Sequence, residues 1–132
     1  MGVTYLLDTH VLLWLLASPD KVPPDVRGTL AAGTTTLLAS AVSAMEVATK
    51  ARSGRLPGAD ALVATWTARV AELQVEELPL RTEHALLAGS MRWDHRDPFD
   101  RLLVAQALVD NLTLATVEAA VRAVPGLRTL SW

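Results

Sequence analysis

Apolar runs of strand length alternate with segments of helical periodicity along the chain. The run at 3–7 predicts a buried strand, and apolar residues at Val11, Leu12 and Leu15 predict a helix after it. The same patterns predict further strands at 35–39, 75–80, 112–115 and 127–130, and further helices at 24–33, 41–53, 59–73, 82–91, 98–111 and 118–123. This alternation predicts an α/β fold, a three-layer α/β/α sandwich with a central, mainly parallel sheet.

Length and composition narrow the class of protein. A chain of 132 residues can form one domain, which we expect to span residues 1–132. No apolar run reaches the roughly 20 residues that a membrane helix requires, and the first residues lack the charged segment of a signal peptide. The chain has no cysteine, which excludes disulfides and thiolate metal ligands. We therefore expect a soluble, cytoplasmic protein.

Four acidic residues lie where a parallel sheet can gather them. Asp8 directly follows the first predicted strand, Glu46 lies in the helix that follows the second, and Asp97 and Asp100 begin the helix at 98–111. Clustered carboxylates repel one another unless a divalent cation neutralises them. Mg²⁺ or Mn²⁺ in such a site polarises a phosphodiester and lowers the pKa of an attacking water. The pattern predicts a metal-dependent site that cleaves phosphodiesters.

Each acid also has a purely structural interpretation. Asp97 fits the N-cap of the helix that follows, and for that motif alone the two interpretations are equally favoured. Asp8 can cap its own helix, although the Thr9 hydroxyl can orient the Asp8 carboxylate, which favours a functional role. Glu46 and Lys50 are four residues apart and can form an ion pair on a helix surface. The apolar neighbours of Glu46 predict that it is less exposed than a surface pair requires.

Basic residues form two short groups rather than an overall positive charge. The net charge of −2 requires a local patch for any nucleic-acid substrate. One candidate patch is Lys50, Arg52 and Arg55, and the other is Arg92, His95 and Arg96. The ordinary role of each group is a solvated helix end or loop, and the alternative role is contact with RNA phosphates.

His10, His95 and Trp93 carry weaker signals. Neither histidine has the spacing of a metal-ligand motif, so we place both outside the metal shell. Trp93 is the tryptophan best placed to stack on a base, because it neighbours Arg92 and Arg96. The ordinary role of a tryptophan is core or interface packing.

Three segments that contain the acids resemble PIN-domain ribonucleases, in particular VapC-type toxins of bacterial toxin–antitoxin pairs. They are 6–14 around Asp8, 40–50 around Glu46, and 95–107 around Asp97 and Asp100. The resemblance spans almost the full length and implies a PIN-like fold. It also implies that Asp8, Glu46 and Asp100 bind Mg²⁺ or Mn²⁺ at the catalytic centre, with Asp97 as an additional acid.

A fourth segment, 112–118, resembles the place where this family commonly has a strand, a threonine and then an aspartate. Here the threonine is Thr116 and the acid is Glu118. The resemblance implies that Thr116 and Thr9 support the metal-binding acids, Thr9 by orienting Asp8. Glu118 has one more methylene than aspartate, so it would reach a second ion or a bound water with a different geometry.

The resemblance further implies an RNA substrate, a VapB-type antitoxin, a toxin homodimer and a toxin–antitoxin hetero-oligomer. Two alternatives stay open at this point. The chain can be a PIN-like nuclease that processes or repairs nucleic acid without an antitoxin, or a catalytically degenerate PIN fold that serves as a binding module. Glu118 is the sequence feature that favours the degenerate module, whereas the retention of Asp8, Glu46 and Asp100 argues against it.

Overall fold

The computed structural model describes residues 2–132. The strands are β1 (Thr4–Leu7), β2 (Thr36–Ser40), β3 (Glu76–Leu78), β4 (Thr113–Ala115) and β5 (Arg128–Leu130). The helices are α1 (Thr9–Ala17), α2 (Pro24–Leu30), α3 (Ala41–Arg52), α4 (Asp60–Ala64), α5 (Trp66–Glu72), α6 (Thr82–Ser90), α7 (Pro98–Val109) and α8 (Ala119–Arg122), with a short 3-10 turn at Pro19–Lys21. The predicted alternation of strands and helices is confirmed.

The strands form one parallel sheet in the order β3-β2-β1-β4-β5. In the central strand β1, Tyr5 pairs with Leu37 of β2 on one side and with Thr113 of β4 on the other. Because all strands run in the same direction, their carboxyl ends meet at one edge, where open parallel sheets bind ligands. Asp8 follows β1 at the middle of that edge.

Two apolar clusters cover the two faces of the sheet. Side chains alternate along β1, so Leu6 lies in one cluster while Tyr5 and Leu7 lie in the other. The Tyr5 cluster takes residues from α1, α2 and α5, and the Leu6 cluster takes residues from α3, α7 and α8. Leu6 and Leu7 are fully buried, and each stabilises the fold by about 2 kcal/mol. The predicted three-layer α/β/α sandwich is confirmed.

The predicted helix at 59–73 is wrong as a single element, because it breaks at Thr65 into α4 and α5. Thr65 has φ −119° and ψ 18°, outside the helical range. Its hydroxyl donates to the carbonyl of Ala61 at 2.7 Å. A β-branched residue that bonds back to the preceding turn is a known source of bends in helices, and here the helix is interrupted at that residue.

The third strand is shorter than predicted. The sequence predicts 75–80, whereas β3 ends at Leu78. Pro79 follows, and proline has no backbone N–H to continue a ladder. Within residues 2–132, the helices are too short or too polar to cross a membrane.

A buried histidine joins α6 to the end of α7. His84 is fully buried, and its Nε2 lies 3.2 Å from Oδ2 of Asp110. The backbone N–H of Arg81 donates to Nδ1 of His84, and the Arg81 guanidinium donates to Asp110 at 2.7 Å. Burial alone would raise the pKa of Asp110, but the hydrogen bonds from Arg81 and His84 hold that pKa below 3.8. This network fixes α6 against α7.

Candidate active site

Asp8 is fixed by its backbone and leaves its side chain available. Its N–H donates to the carbonyl of Ala115 at 2.9 Å, which continues the β1–β4 ladder, and its own carbonyl accepts from the N–H of Leu12 in α1. The side chain makes no cap hydrogen bond to the helix. Asp8 is 3% exposed, and its carboxylate accepts a 2.5 Å hydrogen bond from the hydroxyl of Thr116. The interpretation of Asp8 as a side-chain cap is therefore wrong.

The hydroxyl that holds the Asp8 carboxylate belongs to Thr116 and not to Thr9. Thr116 donates to Asp8, and its hydroxyl also accepts from the backbone N–H of Glu118 at 3.1 Å. The Thr9 hydroxyl instead lies 2.8 Å from the hydroxyl of Ser43, and both are buried. The backbone of Thr9 acts on Asp8 only by lowering the pKa of its carboxyl. The predicted orientation of Asp8 by the Thr9 hydroxyl is therefore corrected: the hydroxyl fastens α1 to α3 instead.

Glu46 combines an ion pair with an unsatisfied oxygen. Ser40 caps α3 by accepting from the N–H of Val42, which places Glu46 in the second turn of that helix. Lys50 donates to Oε2 of Glu46 at 2.5 Å, so the predicted pair is present, but Glu46 is 4% exposed. Its Oε1 is buried without a hydrogen-bond partner. A buried, unpartnered carboxylate oxygen is costly, and it is the type of group that a hard divalent cation binds.

Asp97 and Asp100 begin α7 and have different surroundings. Oδ1 of Asp97 accepts from the N–H groups of Phe99 at 2.8 Å and of Asp100 at 3.3 Å, so the predicted N-cap is present. Oδ2 of Asp100 lies 2.7 Å from Nε2 of His95, and the Asp100 side chain is 14% exposed. Asp97 thus contributes one oxygen to the helix, whereas Asp100 faces the site.

The acids influence one another electrostatically. Burial raises the pKa of Asp8 above 3.8, the charge of Glu46 raises it further, and the hydrogen bond from Thr116 opposes the rise. The pKa of Asp100 is raised to about 6. Burial is the largest cause and the charges of Asp97 and Asp8 add to it, whereas the hydrogen bond from His95 lowers this pKa. The charges of the four acids therefore act on one another, and the ionised forms of Asp8 and Asp100 are disfavoured.

The carboxylates are held by protein partners rather than arranged as a ready ligand set. Within residues 2–132, no group of three acidic or histidine side chains has the geometry of a metal site. One oxygen each of Asp8, Glu46 and Asp100 is bound by Thr116, Lys50 and His95, respectively. Ligating carboxylates in metal sites are commonly hydrogen-bonded in this way. The residues can accept a cation on their remaining oxygens, and the metal site stays a prediction.

A family model of the PIN domain matches residues 5–127, which is nearly the whole chain. The chain belongs to the PIN domain family. No curated protein sequence matches this PIN domain. The acids of its candidate site come from the same segments that resemble the family in sequence.

Several solved structures have the fold of this PIN domain. VapBC2 from Rickettsia felis, bound to a promoter DNA fragment, matches with a TM-score of 0.71 and 16% identity over 98% of this chain and 99% of that chain. DNA-bound VapBC from Salmonella typhimurium matches with a TM-score of 0.71 and 20% identity over 98% of each chain. FitAcB from Neisseria gonorrhoeae matches with a TM-score of 0.60 and 16% identity over 96% of each chain. At these identities, the likeness establishes the fold.

The candidate RNA-binding residues occupy two kinds of environment. Lys50 forms an ion pair with Glu46, so in this PIN domain it is a structural partner of the candidate active site. The other four candidates, Arg52, Arg55, Arg92 and Arg96, are exposed. They lie at the end of α3 and in the segment before α7, next to the segments that contribute Glu46 and Asp100. The role of these four arginines in RNA binding stays a prediction.

Glu118 lies at the rim rather than among the buried acids. Its side chain is 42% exposed, and Oε1 lies 3.9 Å from Nδ1 of His10. The carboxylates whose charges act on Asp8 and Asp100 are those of Glu46, Asp97 and Asp8. A metal-binding role for Glu118 would require its side chain to turn away from His10, and it stays a prediction.

Sequence reasoning missed two contributors to the site. Ser43 gave no signal, because a serine inside a helix is ordinary, and its contact with Thr9 is fixed only by the packing of α1 on α3. His95 was placed outside the metal shell, and its contact with Asp100 is compatible with that. The five-residue separation of His95 and Asp100 across a helix start was the available signal, since an N-cap turn brings such residues together.

Proposed function

We propose that this PIN domain is a metal-dependent endoribonuclease and the toxin of a VapBC-type toxin–antitoxin pair. The observation that carries the proposal is the buried, unpartnered Oε1 of Glu46 in the same electrostatic environment as Asp8. Lys50 already pairs with the other oxygen of Glu46, but one ammonium group does not offset the charge of the neighbouring acids, and a buried carboxylate oxygen without a partner is costly unless a cation binds it. Membership of the PIN family and the fold shared with the VapBC complexes support the biological role.

Asp8, Glu46 and Asp100 would hold Mg²⁺ or Mn²⁺, with Asp97 beside them and Glu118 available for a second ion. Oxygen ligands suit both ions, and the chain has no thiolate to offer. When bound, the ion polarises the scissile phosphodiester and lowers the pKa of the attacking water. The raised pKa of Asp100 is consistent with such a site, because burial and the charges of Asp97 and Asp8 disfavour its ionised form, which a bound cation would stabilise.

The residues around the acids have distinct tasks in the proposed reaction. Thr116 fixes Asp8, and Lys50 fixes Glu46 while it offsets part of that negative charge. The exposed arginines at 52, 55, 92 and 96 would bind RNA phosphates on either side of the cleaved bond. Chemistry and substrate binding are thus assigned to different residues, which makes them separable by mutation.

The test is cleavage of a mixed cellular RNA pool by purified protein with Mn²⁺ or Mg²⁺, with EDTA as a control. Asp8→Asn removes the charge at constant volume and should abolish cleavage, whereas Asp25→Asn, an exposed acid in α2, should not. Mapping the new RNA ends identifies the target. Cleavage that persists in folded Asp8→Asn, or in EDTA, would refute the proposed centre.

The proposed partners follow from the toxin role. We expect a VapB-type antitoxin, a toxin homodimer, a hetero-oligomer of the two proteins, and a cytoplasmic location. Co-expression with a small protein encoded immediately upstream should yield a stable complex and suppress RNA cleavage, and light scattering gives the mass of each assembly. A fully active nuclease with no such neighbour would favour an antitoxin-independent processing enzyme, and a folded protein that cleaves no RNA would favour a binding module.

A further inference from the structure

Arg101, in the first turn of α7, donates hydrogen bonds to four backbone carbonyls of the chain before that helix. Its Nε lies 2.9 Å from the carbonyl oxygen of Ala88, and Nη2 lies 2.7 Å from that of Met91. Its Nη1 lies 2.6 Å from the carbonyl oxygen of Trp93 and 3.0 Å from that of His95. A guanidinium usually directs its donors to a carboxylate or phosphate. Arg101 uses them to organise backbone.

The segment at 92–96 has neither helix nor strand hydrogen bonds to fix it. Side chains alternate along an extended segment, and here Arg92, Asp94 and Arg96 are exposed while Trp93 and His95 are half-buried. The carbonyls that Arg101 binds belong to the inward-facing residues of this pattern. One side chain therefore fixes which residues of the segment are half-buried and which face solvent.

The inward-facing residues connect Arg101 to the acid site. The rings of His95 and Trp93 stack with centroids 4.7 Å apart and planes at 28°, and the Arg101 guanidinium lies 6.0 Å from the Trp93 ring centre. Nε2 of His95 lies 2.7 Å from Oδ2 of Asp100. Because an ionised carboxylate only accepts, the imidazole N–H is the donor. The contacts run without a gap from Arg101 to Asp100.

We propose that Arg101 is a positioning residue for the metal centre. It holds His95 against one oxygen of Asp100, which directs the other oxygen of that carboxylate toward the cation. The proposal rests on the proposed function in one respect, that Asp100 is a metal ligand. Lysine cannot replace Arg101, because one ammonium group cannot reach four carbonyls spread over residues 88–95.

The test compares Arg101→Lys, which keeps the charge, with His95→Phe, which keeps the ring stacked on Trp93 but removes the donor. The double variant and the matched control Arg81→Lys complete the set, since Arg81 binds Asp110 and Glu83 at the far end of α7. Mn²⁺ affinity is measured by titration calorimetry and by electron paramagnetic resonance. These two measurements need no RNA and no nuclease activity.

Each single variant should weaken Mn²⁺ binding by about tenfold to a hundredfold, the usual effect of losing an outer partner of a ligand. The double variant should be no weaker than His95→Phe alone, because both changes remove the same support. Arg81→Lys should bind like the wild type. Independent, multiplying effects in the double variant, or full affinity in Arg101→Lys, would overturn the proposal.

A metal-free measurement separates this proposal from the proposed function. In ¹⁵N-histidine-labelled protein, the His95 N–H held by Asp100 should give a protected imidazole signal, which Arg101→Lys should remove and Arg81→Lys should retain. A His95 signal unaffected by Arg101→Lys would overturn the positioning role, whether or not Mn²⁺ binds. Loss of that signal in a protein whose wild type binds no Mn²⁺ would support the positioning role and refute the metal centre.

Discussion

Asp100→Asn should stabilise the metal-free protein at neutral pH, although it removes a proposed catalytic residue. Asp100 has a pKa of about 6 in the folded chain and 3.8 as an ordinary side chain. That difference corresponds to about 3 kcal/mol of free energy of unfolding. The 14% exposure of the side chain leaves little solvent screening to reduce it. Asparagine keeps an acceptor for His95, so we expect a gain of about 1 to 3 kcal/mol.

The size of the effect depends on pH in a defined window. Between the unfolded value of 3.8 and the folded value of about 6, the folded protein binds more protons at Asp100 than the unfolded chain does. Wild-type stability should therefore fall as pH rises through this window, and the destabilisation is fully present above pH 6. The advantage of Asp100→Asn should be absent near pH 4 and complete by about pH 7.

The assay is urea unfolding of both proteins in EDTA across this pH range. Asp110→Asn, at the other end of α7, is the matched control with the opposite sign, because the pKa of Asp110 is lowered by its partners. It should destabilise at neutral pH, and its effect should vanish as the pH falls well below 3.8. Added Mn²⁺ should stabilise the wild type and leave Asp100→Asn nearly unchanged. If metal-free Asp100→Asn is less stable than the wild type at pH 7, the ionised form of Asp100 is not disfavoured in the folded protein and the reasoning is refuted.

Three further predictions test neighbouring contacts. Thr116→Val removes the hydroxyl that holds Asp8 and should weaken Mn²⁺ binding about tenfold or more, as measured by calorimetry; unchanged affinity would exclude that role. Lys50→Met should destabilise by about 3 kcal/mol in urea, because it leaves Glu46 buried without its partner, and a combined Lys50→Met/Glu46→Gln protein should recover most of the loss. If the double variant does not regain stability, the loss in Lys50→Met does not come from the unpaired Glu46. Arg96→Ala should lower the salt dependence of RNA binding by the amount expected for about one phosphate contact, as measured by fluorescence anisotropy. An unchanged salt dependence would indicate that RNA does not contact this segment.

The parts of the site that depend on one strand were predictable, and those that depend on packing were not. Asp8 is placed at the sheet edge by the run at 3–7 alone, and its buried position agrees with that prediction. Glu46 and Asp100 reach the same edge only because α3 and α7 pack on the same face of the sheet. No local pattern in either helix contains that information, since each helix must merely present an apolar face.

Segments without periodicity were the least predictable. The helix breaks at Thr65, where the side-chain hydroxyl bonds to the carbonyl of Ala61. The difference in free energy between a broken and a continuous helix at such a residue is small. The segment at 92–96 has no intrinsic preference strong enough to fix it, and its conformation is set by Arg101, which lies beyond it in the chain. The role of Arg101 has no local sequence signal, because its acceptors are backbone carbonyls, which every residue carries.

The structural and functional interpretations of the acids are compatible rather than competing. Lys50 occupies Oε2 of Glu46 and leaves Oε1 free, and Asp97 caps α7 with Oδ1 while its charge still raises the pKa of Asp100. A carboxylate has two oxygens, so one can stabilise a helix while the other serves a site. Asp97, through its capping motif, and Glu46, through its i,i+4 pair, therefore each affect both the stability of a helix and the electrostatics of the site. Neither motif alone decides between the two roles, whereas the burial of Glu46 with one unpartnered oxygen does favour a cation.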